Sequence, residues 1–70
     1  MEGDRMSLKN RVKELRARFD LTQEQLAKKV GVTRQTIASI EKSSYTPSLF
    51  LALKICEVFH SKVEDVFWIE

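Results

Sequence analysis

The stretch LTQEQLAKKVGVTRQTIASIEK, Leu21 to Lys42, decides how this chain folds, because it holds two helix starts and one helix stop in a single short run. Thr22 with Gln25 three residues on has the form of a capping box: the hydroxyl accepts from a first-turn N–H and the glutamine side chain returns the bond. Leu26, Ala27 and Val30 then recur at helical spacing and predict a buried face. Gly31 ends that helix. Lacking a Cβ, it enters the left-handed conformation that closes a helix, and Val32 is placed to tuck back under the turn. Thr33 is the next N-cap. In the helix from Arg34 to about Lys42, Ile37 and Ile40 turn inward, while Gln35, Ala38, Ser39 and Lys42 are expected to face out with Arg34 on the flank.

Toward the N-terminus, Val12, Leu15, Arg16 and Phe19 follow the i, i+3, i+4, i+7 rule and predict a helix from Asn10 to Phe19 with Asn10 as its N-cap. The apolar Leu8 just before it suits a short strand. Toward the C-terminus, Ser43 to Pro47 is rich in turn residues, and Pro47-Ser48 opens a fourth helix, Leu49 to Phe59. This helix is apolar on two sides. Leu49, Ala52, Leu53, Cys56 and Phe59 form one stripe, Leu51, Ile55 and Val58 a second, and Phe50 lies between Lys54 and the first; both sides are expected to be covered. Ser61 to Glu64 reads as another capping box opening a short fifth helix, and Val66 to Ile69 is β-branched and aromatic, as a strand is.

Seventy residues make one domain, which buries only about 60% of its unfolded surface and gains from a disulfide, a metal or a second subunit. A single cysteine, Cys56, closes no internal disulfide, and with the one histidine, His60, it falls short of a structural zinc site. Self-association is the remaining route. Cys56 is read as a small core residue and His60 as a helix end, where a cation suits the dipole. No run is apolar enough for a signal peptide or a membrane span, so a cytoplasmic protein with no membrane partner is expected. No nucleophile with a base, paired carboxylates, phosphate-cradling glycines or metal-ligand spacing appears; the chain is therefore expected to be no enzyme, with no cofactor and no metal. A net charge of +2 says little, but its placement says more. Arg5, Lys9, Arg11, Lys13, Arg16 and Arg18 face only Glu14 near the start, while Glu57, Glu64, Asp65 and Glu70 face only Lys62 near the end.

Two helices joined by a tight turn around Gly31-Val32, the second with a polar outer face, form a helix-turn-helix, whose second helix enters the major groove of DNA. The run from Leu21 to Lys42, followed by Tyr45-Thr46-Pro47-Ser48-Leu49, resembles the Cro and phage-repressor (Xre-type) family, and within it the small stand-alone regulators of the enterococcal cytolysin-repressor kind. The likeness extends from about Asn10 to Trp68. It implies an all-α, compact five-helix lambda-repressor-like domain over residues 10–70 with the helix-turn-helix at about 22–41, and a small two-stranded sheet joining the chain ends. Residues 1–9 are then an N-terminal arm with a short strand, Met6 to Lys9 pairing with Val66 to Ile69.

By the same resemblance, Gln23 bonds a DNA phosphate and braces the recognition helix, and Arg34, Gln35 and Ser39 read bases. Arginine can pair guanine bidentately and glutamine can pair adenine. Thr33 and Thr36 reach phosphate or a thymine methyl; Lys42, Ser43, Ser44 and Tyr45 touch the backbone; Arg16 and Glu41 form a partly buried ion pair. One helix reads too few base pairs to select a site from a genome, so a homodimer on two half-sites is expected, with Phe50, Leu51, Val58, Phe67, Trp68 and Ile69 as its interface. The expectation is a dimeric repressor of double-stranded DNA with no small-molecule ligand. The alternative is an antitoxin or accessory interaction module that also binds DNA; such proteins carry a partner-binding extension, of which this chain has almost none.

Overall fold

The computed structural model describes residues 7–70. In chain order it holds β1 (Leu8–Asn10), α1 (Val12–Arg18), α2 (Gln23–Val30), α3 (Arg34–Glu41), α4 (Leu49–Val58), α5 (Val63–Val66) and β2 (Phe67–Ile69). This is the expected five-helix architecture with a small sheet.

The two strands pair antiparallel, with Leu8 opposite Ile69, Lys9 opposite Trp68 and Asn10 opposite Phe67. Paired backbone bonds between Ser7 and Glu70, and from the Arg11 N–H to the Val66 carbonyl, extend the ladder at both ends. Of the expected pairing, Met6 lies outside the described residues, as do the other residues before Ser7, and Val66 closes α5 instead of opening the strand. Because Asn10 and Arg11 are drawn into this ladder, α1 starts at Val12, later than the periodicity predicts. Asn10 still serves the helix. Its Oδ1 accepts from the Val12 N–H at 3.0 Å, while its Nδ2 donates to the Ile40 carbonyl at 2.9 Å and ties the sheet to the end of α3.

The N-caps of α2, α3 and α4 are the expected ones: the hydroxyls of Thr22, Thr33 and Ser48 accept from Gln25, Thr36 and Leu51 N–H groups, and the Thr22–Gln25 box is reciprocal. The box expected at Ser61 does not form. The chain has just left α4 there, and the Ser61 hydroxyl donates back to the Phe59 carbonyl at 2.9 Å, leaving Lys62 as the N-cap of α5.

Four helices end by one device. The residue after the last helical turns is left-handed, and the N–H of the following residue reaches back to a carbonyl five positions earlier: Leu21 to Arg16, Val32 to Ala27, Ser44 to Ser39 and Ser61 to Cys56. Gly31 takes this conformation freely at φ 78°, but Asp20 (60°), Ser43 (62°) and His60 (52°) take it against the cost of a Cβ. Asp20 also sets a negative charge at the C-terminal end of α1, the unfavourable end of the helix dipole. Asp20→Gly is therefore expected to stabilise the protein by about 1 kcal/mol, raising the midpoint of a thermal melt by about 4 to 8 °C in a domain of this size.

The core joins Val12 and Leu15 of α1, Leu26, Ala27 and Val30 of α2, Ile37 and Ile40 of α3, Leu51, Ala52, Ile55 and Cys56 of α4, and Phe59, Val66 and Phe67 beyond it. Three apolar expectations change. Ala38, expected to face out, is 8% exposed: one position round from Ile37, its methyl lies under the packing of α3 and adds nothing to the outer face. Phe19 is only half-covered, its ring tilted on Phe59 with centroids 5.3 Å apart. On α4 the buried side draws on both expected stripes, taking Leu51, Ala52, Ile55 and Cys56, so Leu49 and Leu53 are left outside with Phe50. Burial pushes the Cys56 thiol above its usual range, and the negative charge of Glu64 adds to this, which keeps the thiol protonated and inert.

Candidate nucleic-acid interface

The outer side of α3 is built from a row at helical spacing. Gln35, Ser39 and Lys42 succeed one another at i, i+4 and i+7; Gln35 and Lys42 are exposed and Ser39 is half-buried. Arg34, the first residue of α3, is exposed beside this row, and Thr36 is half-buried, its hydroxyl 3.0 Å from that of Thr33. Lys42, Ser43, Ser44 and Tyr45 continue the exposed surface beyond the helix. The left-handed turn at Ser43 makes that continuation possible, and the Ser39 carbonyl holds it by accepting from both the N–H and the hydroxyl of Ser44. The Ser44 hydroxyl is thus already donating within the chain.

Beneath the row lies a connected set of polar side chains. Arg16 Nε donates to Glu41 Oε2 at 2.6 Å, Arg16 Nη2 to Glu41 Oε1 at 3.2 Å, and Arg16 Nη1 to the Leu21 carbonyl at 3.0 Å. The pair is well covered, its side chains 14% and 6% exposed. Glu41 Oε1 accepts a further bond from Gln23 Nε2 at 3.1 Å, and Gln23 Oε1 accepts from Arg34 Nη1 at 3.1 Å. Gln23, at the first turn of α2, therefore spans α3 from its last residue to its first. The residue pattern alone offers no sign of the Glu41–Gln23 contact, because the partners come from separate helices and neither residue type demands the other.

The residues expected at a subunit interface divide. Leu51 and Phe67 are each 7% exposed and belong to the core, so they back the surface without forming it. Val58 and Trp68 are half-buried, and Trp68 is covered on one face by the Arg11 guanidinium 4.8 Å from its ring centre. Phe50 and Ile69 are 72% and 63% exposed. Leu49 (68%) and Leu53 (48%), from the first of the two stripes expected to be covered, join Phe50 on the open side of α4, with the Lys54 ammonium 5.1 Å from the Phe50 ring.

The helix-turn-helix family model (HTH_3) matches residues 12–66. Among similar proteins, the uncharacterized HTH-type transcriptional regulator YgzD of Bacillus subtilis is 67% identical over 63 residues, covering 90% of this chain and 96% of that protein. An uncharacterized HTH-type transcriptional regulator of Archaeoglobus fulgidus is 57% identical over 60 residues, 86% of this chain and 84% of its own length. Two solved structures share the fold. The restriction-modification controller protein C.AhdI from Aeromonas hydrophila superposes with a TM-score of 0.73 at 29% identity, over 79% of this chain and 83% of that one. The transcriptional regulator VanUg does so with a TM-score of 0.75 at 26% identity, over 93% and 87%.

Proposed function

The chain belongs to the helix-turn-helix (HTH_3) family of Xre/Cro type and is a DNA-binding transcriptional regulator, and from that premise we propose that it is a dimeric repressor reading a two-fold symmetric operator with α3 in the major groove. The observation that carries this reading is the outer side of α3. Gln35 and Arg34 stand exposed beside Ser39 with no apolar side chain between them, and Thr33, Thr36 and Lys42 flank them. Arg34 and Gln35 pair base edges, Ser39 reaches them through water, and Thr33, Thr36, Lys42, Ser43 and Tyr45 hold phosphates and sugars on either side, while Ser44, whose N–H and hydroxyl both go to the Ser39 carbonyl, holds the loop that presents them. The second amide hydrogen of Gln23 and the unpaired N–H groups at the start of α2 meet a phosphate. Binding of this kind blocks polymerase access to an overlapping promoter.

A monomer reading one half-site of about four base pairs lacks selectivity, so two copies lie on half-sites about 34 Å apart. The open side of α4, with Leu49, Phe50 and Leu53, supports self-association, as does Ile69 at the sheet. Residues 10–70 act as the reading domain and the arm before them as its accessory.

Selection from random duplex pools at several salt concentrations tests this. The wild type is expected to retain a symmetric site, and Arg34→Ala and Gln35→Ala each to relax one position per half-site, by about 5- to 150-fold in discrimination, with the salt slope persisting. Sequence-indifferent binding would sink the repressor and favour a protein-interaction module that docks its partner on the apolar side of α4.

A further inference from the structure

Between α1 and the reading end of α3 runs a chain of side chains in which every member but one has a fixed sense. Arg16 and Arg34 only donate, and the Glu41 carboxylate only accepts. Gln23 lies between Glu41 and Arg34, 3.1 Å from each, and alone could face either way. Its neighbours decide: an amide oxygen turned to Glu41 would set two acceptors together, and the NH2 would then meet a guanidinium that has nothing to accept with.

The geometry points to Glu41 as a positioning residue for base readout: by anchoring the Gln23 amide nitrogen it holds the Gln23 oxygen in place against Arg34, and Arg16, holding Glu41 through two bonds, sets base preference from a helix that never meets the base. The inference rests on the reading of Arg34 as a base contact. Gln23 engages only Nη1 of Arg34, so the edge formed by Nε and Nη2 stays open for a bidentate partner such as guanine. Released from Gln23, the long side chain can swing to a phosphate, keeping its contribution to affinity and losing its discrimination.

The test replaces the ion pair as a pair. Arg16→Met with Glu41→Met leaves no orphan charge and preserves the fold, checked by circular dichroism, while taking the carboxylate from Gln23. In the duplex selection, preference at the base pair read by Arg34 is expected to fall from about tenfold or more to about twofold, with preference at the Gln35 position unchanged and the salt slope no shallower, because Arg34 then neutralises a phosphate. Gln23→Met, which keeps the ion pair, is expected to give the same loss, and combining the three substitutions no further loss, because all break one chain.

A folded Arg16→Met/Glu41→Met variant that retains the Arg34 preference overturns the inference, as does a Gln23→Met variant that retains it. A wild type with no preferred site would instead overturn the reading on which the inference rests. One measurement needs no variant: in the DNA-free wild type the Gln23 side-chain amide hydrogens should exchange with solvent more slowly by NMR than those of exposed Gln35. Equal exchange would show Gln23 unheld and end the proposal.

Discussion

Arg16→Met alone is expected to destabilise the protein by about 3 to 5 kcal/mol, because it leaves the Glu41 carboxylate covered by protein with its main partner gone. Arg16 supplies Glu41 with two of the three side-chain bonds it accepts, and the remaining one, from Gln23, is a neutral amide that cannot offset the charge. The loss also frees the Leu21 carbonyl, which Arg16 Nη1 holds at the turn into α2. A domain of this length has a total stability of about 3 to 10 kcal/mol, so the variant should lose from about a third to all of it. Urea titration followed by helical circular dichroism measures this directly. A loss under about 1 kcal/mol would mean that water reaches Glu41 and that the pair does not hold the fold. The contrast with the paired Met replacement is informative, since the second variant has lost more polar groups and should be the more stable.

A second large effect is expected at the apolar side of α4. Phe50→Glu with Leu53→Glu places two negative charges where the proposed dimer has greasy contact, and because both side chains are exposed in the protomer the fold should be unaffected. Light scattering should report a monomer. Affinity for an operator with two half-sites is expected to drop by about 10²- to 10⁴-fold, the benefit of tethering one reading helix to another, while affinity for an isolated half-site stays as it was. A variant that remains dimeric would move the interface from α4 to the sheet, where Ile69 is exposed.

What could be read ahead of the structure was what neighbouring residues decide among themselves. Thr22 with Gln25, the stop at Gly31 and the caps at Thr33 and Ser48 are settled within four residues, and each stands where the pattern puts it. What packing decides was less legible. Periodicity sorts the residues of α4 into two stripes and expects both to be covered, but only the position of the other helices determines which residues of each are, and Leu53 stays open while Leu51 is buried. Ser61 had the residue types of a capping box and used its hydroxyl elsewhere, because the carbonyl of Phe59 was closer to hand. The roles at α3 come from resemblance, whereas the bond from Gln23 to Glu41 arises only when α2 and α3 meet.

The sheet that joins the chain ends has a consequence for the protein as it is being made. β1 leaves the ribosome ahead of every helix and β2 after all of them, so at about 5 to 20 residues per second the first strand waits roughly 3 to 12 s for its partner. Helices form in microseconds or less, which gives the nascent chain ample time to assemble its reading surface before the ladder can close. Asn10 can grip Ile40 as soon as α3 exists, without waiting for Phe67. During that interval β1 is an open edge in a crowded cell, and two of its features suit it to the exposure: it is three residues long, and its middle residue is Lys9.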